Sequence, residues 1–151
     1  MKIIYLLFSL SLFISCGTKK KSQTDPIKVS EVEVRDVAYP LAELKAFSKK
    51  NDPYTLKEIK VNGNILELTV SYSGGCEKHD FSLIGNPELS SDKISVRKVQ
   101  LVHKANGDQC KALKQKTLKF SITPLADNYK RGTEVLLRFD NYEKGISYTY
   151  N

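Results

Sequence analysis

The chain has 151 residues, 40% of them hydrophobic, and carries 24 Lys and Arg against 17 Asp and Glu, a formal charge of +7. That length suits one domain with a substantial core. It holds no phosphate-cradling Gly-rich loop, no His-Glu-x-x-His and no calcium-loop pattern, which excludes the function classes that depend on them.

The opening "MKIIYLLFSLSLFISCG" sets Lys2 before an apolar run from Ile3 to Ile14, broken only by Ser9 and Ser11. Such a run has the length of a signal-peptide core and falls short of the roughly 20 residues that cross a bilayer as a helix. Phe13-Ile14-Ser15-Cys16 resembles the lipobox of bacterial lipoproteins, in the looser form seen in Bacteroidota-type lipoproteins. The resemblance implies that residues 1–15 are removed as a signal peptide and that Cys16 carries a covalent diacylglycerol plus an amide-linked acyl chain such as palmitate. Two or three chains, at about 0.8 kcal/mol per buried methylene, anchor durably where one does not. The expected location is therefore the cell envelope. Gly17 after the cysteine favours the outer membrane, and Lys19 to Lys21 favour its periplasmic face.

An exported basic protein points to anionic lipid, lipopolysaccharide, acidic polysaccharide or another envelope protein as partner, and away from nucleic acid. Solubility alone accounts for the charge equally well. Residues 16–26 comprise the lipidated Cys16 and "GTKKKSQTDP", a polar tether whose lysines each add roughly 1 kcal/mol against anionic headgroups when close to them.

Residues 27–151 are expected to form a single all-β domain. Val29, Val32 and Val34 mark a first strand, and "PLAELKAF", with Pro40 first and Leu41, Leu44 and Phe47 three apart, predicts one short helix. Two alternating runs flank Asn62-Gly63, a type I′ hairpin signal that sets Ile59 opposite Leu66. Leu66, Leu68, Val70 and Tyr72 then share one face, and Gly74-Gly75 ends the strand. His79, Phe81 and Leu83 share the parity of the next strand. "ISVRKVQLVHK" switches parity between Ile94/Val96 and Val99/Leu101/His103, which suggests a bulge. Leu118, Phe120 and Ile122 form a further strand. Val135, Leu137 and Phe139 pair through "DNYEKG" with Ile146, Tyr148 and Tyr150. Eight or nine short strands without a βαβ rhythm predict an antiparallel β-sandwich or a partly open barrel.

With Cys16 assigned to lipid, Cys76 and Cys110 remain as an even pair in an oxidising compartment, and a disulfide is the default. Closing that loop is worth roughly 4 kcal/mol in the chain-entropy picture. Two other readings use the same neighbourhood. Cys76, His79, His103 and Cys110, or the histidines alone, form a candidate zinc or copper site; Cys-x2-His is a workable near pair, whereas His103 and Cys110 are spaced unlike a zinc finger. A hydrolase would draw Ser71 or Ser73, a histidine and Asp108 into a triad, without Gly-x-Ser-x-Gly or its strand-turn-helix setting. The plainer expectation is that each histidine faces the interior, bonded to backbone or to a carboxylate such as Asp80 or Asp108. Tyr142, Tyr148 and Tyr150 are read first as strand residues and second as a sugar-stacking surface. The Lys-rich run from Lys111 to Lys119 and "KRG" at 130–132 are expected to be solvated.

The passenger pattern "GGC-x2-H-x-F" followed by "H-x4-D-x-C" is similar to small uncharacterised exported proteins of Bacteroidota. It implies a shared scaffold and supplies no activity. The leading expectation is a lipid-anchored envelope β-sandwich that binds or scaffolds, with no catalytic centre.

Overall fold

A computed structural model describes residues 38–91 and 93–151; the expected signal peptide and tether, Cys16 and the strand expected at Val29 to Val34 lie outside the described residues. Among the described residues nine strands form two sheets: β1 Glu43–Leu44, β2 Thr55–Asn62, β3 Ile65–Gly74, β4 Asp80–Gly85, β5 Ser90–Ser91, β6 Ser95–Lys104, β7 Ala112–Ser121, β8 Glu134–Phe139 and β9 Tyr142–Thr149. The smaller sheet runs β2-β3-β7, and the larger runs β1-β4-β6-β8-β9 with β5 beside β6. The β-sandwich is as expected, and there is no closed barrel.

Alternation in the sequence builds the core. Leu66, Leu68 and Val70 of β3 and Leu118 and Phe120 of β7 face Leu83 of β4, Val99 and Leu101 of β6, Val135 and Leu137 of β8 and Tyr148 of β9. Burying each such side chain contributes about 1.5–3 kcal/mol. Tyr148 is fully buried and donates its hydroxyl to Asn64 Oδ1 at 2.9 Å; burial pushes its phenol up to about 12. Tyr148 is thus a core residue rather than part of a stacking surface, and the run from Lys111 to Thr117 is exposed throughout.

Four local expectations change. The two-turn helix does not form: Leu41 bridges Ser121, and β1 pairs in parallel with β4. Ala42 N–H and Lys45 N–H donate to the Ser121 and Gly85 carbonyls, and Ser121 N–H donates to Pro40. Sheet partners satisfy these groups more fully than two helical turns, a length at which helix formation is marginal. The β2–β3 turn is Gly63-Asn64, with Asn62 opposite Ile65 and Ile59 opposite Leu68. Gly63 alone of that pair takes positive φ, +56°, the first-position glycine of a II′ rather than a I′ turn.

No register shift interrupts β6 against β4. Its inward parity continues from His103 back through Leu101 and Val99 to Arg97, which is only 3% exposed. The Arg97 guanidinium donates to the carbonyls of Leu125, Asn86, Pro87 and Ala126, so a cation continues the inward parity in place of the expected bulge. Finally, β6 pairs with β8 in parallel, making the larger sheet mixed.

Two of the passages between sheets lie side by side at one end of the sandwich. Residues 75–79 lead from β3 to β4, and residues 105–111 lead from β6 back to β7. The pairings Gly74 with Ala112 and Asp80 with Lys104 bring these two crossovers together.

Candidate functional site

Among the described residues, Cys76, Cys110, His79, His103 and Asp108 meet at those crossovers. Cys76 and Cys110 are joined as a disulfide, with Cα atoms 5.8 Å apart, one from each crossover. His79 immediately precedes β4, and His103 lies on β6 directly opposite Phe81. Both imidazoles are buried, as their strand parity predicted.

The four ring nitrogens form one chain of hydrogen bonds. His103 Nδ1 lies 3.2 Å from both the Asp52 and Pro53 carbonyl oxygens. His103 Nε2 lies 2.7 Å from His79 Nδ1, and His79 Nε2 lies 3.0 Å from Asp108 Oδ2. Carbonyls only accept, so His103 Nδ1 carries a hydrogen. The short nitrogen-to-nitrogen contact holds one hydrogen, since two would collide and none would oppose two lone pairs.

Asp108 decides the remaining proton. Its Oδ2 accepts the consecutive N–H groups of Gly75, Cys76 and Glu77, and its Oδ1 accepts Cys110 N–H at 2.8 Å. Three successive N–H groups make an anion-binding nest, filled here by the protein's own carboxylate. The Glu77 N–H foremost, then Cys110 N–H, the His79 ring and Gly75 N–H, hold this carboxyl well below the usual range. An ionised Asp108 cannot donate, so His79 Nε2 bears the hydrogen. The pair therefore holds three ring hydrogens and one positive charge against the carboxylate. Burial pushes His103 down.

The surroundings fit that assignment. Tyr72 lies 4.6 Å from the His79 ring, and Phe81 stacks on His103 at 4.5 Å with planes 4° apart. Aromatic faces favour a neighbouring cation. Asn51 Oδ1 accepts His103 N–H, Asn51 Nδ2 donates to Leu101 O, and Asp52 Oδ2 accepts Ala105 N–H, which clamps residues 51–52 along the end of β6.

Gly74 permits the His79–Asp108 contact, because a Cβ there would overlap the imidazole and lie 2.9 Å from Asp108 Oδ2. Gly74→Ala is expected to cost about 2 kcal/mol through forced displacement of these groups. Urea denaturation reads it, and an unchanged midpoint would contradict the assigned geometry.

The arrangement answers the sequence alternatives one by one. The sulfurs of Cys76 and Cys110 are bonded to each other, so the close group formed by them with Asp108 offers no thiolate. The two facing histidine nitrogens, at 2.7 Å, are closer than the ~3.3 Å that two ligands on one tetrahedral zinc require, so a metal would have to open this bond. Asp108 does reach His79, as a triad would need. The other side of His79 meets His103, however, and the Ser73 hydroxyl points to Cys110 O at 3.4 Å. Asp80, the other carboxylate considered, pairs with Lys78 and Asn106.

Sequence reasoning missed Tyr72 as a ring partner, the Asn51–Asp52 clamp and the close approach at Gly74. Only the Gly74-Gly75 doublet carried any signal, and it read as a strand end.

A family model described as the NigD-like C-terminal beta sandwich domain matches residues 37–151. Among solved structures, a NigD-like immunity protein from Bacteroides caccae superposes with a TM-score of 0.55 at 18% identity, over 73% of this chain and 58% of that one. A protein of unknown function from Bacteroides vulgatus superposes with a TM-score of 0.50 at 17% identity, over 76% and 57%. The chain thus spans less than two thirds of either protein, and the likeness to them is one of fold. No curated protein matches the chain.

Proposed function

Since the chain belongs to the NigD-like C-terminal beta sandwich domain family, we propose that it works as a non-catalytic binding protein held at the bacterial cell envelope. One observation carries this reading. The residues able to do chemistry, Cys76, Cys110, His79, His103 and Asp108, are consumed by bonds to one another and to backbone. Neither imidazole has a ring nitrogen left for a substrate, and among the described residues no hydroxyl bonds to either ring. A rigid sandwich whose reactive groups are spent internally has its surface with which to act. Protection against a harmful molecule by capture is a task of this kind, in keeping with the immunity protein among its fold relatives.

The anchor in this reading is lipid on Cys16, supported by the likeness of Phe13 to Cys16 to a lipobox. Cys16→Ala is expected to move the protein from the membrane fraction to the soluble fraction of the producing cell. Unchanged membrane attachment would contradict the anchor. For the non-catalytic part, sustained ester hydrolysis by the purified protein that disappears in His103→Ala would overturn it.

A further inference from the structure

Beside the crossovers lies an open hollow of about 650 Å³, lined by Ser48, Lys49, Lys50, Asn51, Lys104 and Asn106 among others. Its floor is already satisfied within the protein. The Asn51 amide is spent on His103 N–H and Leu101 O, the Asn106 amide donates to Lys78 O and Asp80, and the Ser48 hydroxyl donates to Lys50 O. The one carboxylate of the lining, Asp52, is turned onto Ala105 N–H at 2.6 Å.

The three lysines are different. Lys49, Lys50 and Lys104 are exposed, and among the described residues none takes part in an ion pair, unlike Lys45, Lys60, Lys78 and Lys119. What the hollow offers a ligand is therefore three ammonium groups, each with three donors and no acceptor. A complement must bring negative charge and acceptors. The lining has no aliphatic side chain, so it gives no seat to the apolar anchors that hold a protein partner.

We propose that this hollow binds an acidic saccharide, whose carboxylate or phosphate groups meet Lys49, Lys50 and Lys104. This rests on the reading of the chain as a binding protein and gives that reading a place and a ligand class. Asn106, at φ +53°, and Gly107, at φ +81°, turn the chain tightly at the rim and leave it open there.

The test uses the full-length protein in detergent against immobilised polygalacturonate, a phosphomannan and neutral dextran, at low and high salt. Retention on polygalacturonate or phosphomannan, absence from dextran and release by salt are expected. Lys49→Glu/Lys104→Glu should lose retention with its thermal unfolding unchanged. Lys130→Glu/Arg131→Glu, beyond the opposite end of β6, should keep it. Equal retention by the two double variants would overturn the hollow as the site while leaving a binding protein. Failure of the wild type on both acidic polymers would overturn the ligand class. Binding to phosphatidylglycerol vesicles with no binding to either polymer would do the same. The Cys16→Ala fractionation reads the envelope assignment separately.

Discussion

Serine at both Cys76 and Cys110 is expected to lower the unfolding free energy by about 4 kcal/mol, the loop-closure value for a separation of 34 residues. For a domain of this size that is a large share of the total stability. The loss should exceed that of an ordinary surface link, because the bond holds together the two crossovers that supply Asp108 and its donors. Cys76 N–H and Cys110 N–H both bind that carboxylate, so separating the sulfurs also loosens the nest around it. Urea denaturation with and without a reductant checks this. The reduced wild type should match the double serine variant, and an oxidised protein no more stable than the reduced one would contradict it.

Acid should weaken the fold in two stages. Folded His103 binds a proton less readily than its ordinary value of 6.5 implies, foremost because it is buried. As pH falls through 6.5 the unfolded chain takes up a proton that the folded chain resists, so stability present above that pH declines. The geometry gives the same sign: the 2.7 Å contact between the histidines has room for one hydrogen, and a second breaks it. Asp108 follows at lower pH. Its folded carboxyl lies below the ordinary 3.8, so its contribution is full above that value and is lost as pH falls toward the folded one. Urea midpoints at pH 6.5, 5 and 3 should therefore decrease in order. Asp108→Asn should be less stable at neutral pH and lack the lower stage; a midpoint that holds constant from pH 6.5 to 3 would refute the scheme.

How far the sequence foretells these features depends on whether a feature is local. Leu66, Leu68 and Val70 alternate within one strand, so their burial was legible, and so was the inward facing of His79 with Leu83 and of His103 with Leu101. The even cysteine pair pointed to its own bond. What stayed hidden arises between segments distant in the chain. Residues 40–47 carry a helical spacing, yet their backbone groups meet β7 and β4, partners that no local pattern announces. The burial of Arg97 left no local sign, because nothing near it in sequence supplies the four carbonyls it satisfies. Asn51 and Asp52 reach His103 and Ala105 across some fifty residues. Asp108 was one of two carboxylates considered for the imidazoles, and only the nest formed by Gly75, Cys76 and Glu77 distinguishes it from Asp80.

The central claim is that His79, His103 and Asp108 form a closed internal network that holds one shared charge and has no nitrogen to spare. Nitrogen-15 NMR of the imidazole rings at neutral pH tests it most directly, before and after one equivalent of zinc. The prediction is three protonated ring nitrogens and one accepting nitrogen across the two histidines, with no change on adding the metal. Two neutral rings with a free nitrogen, or signals that shift stoichiometrically with zinc, would contradict it.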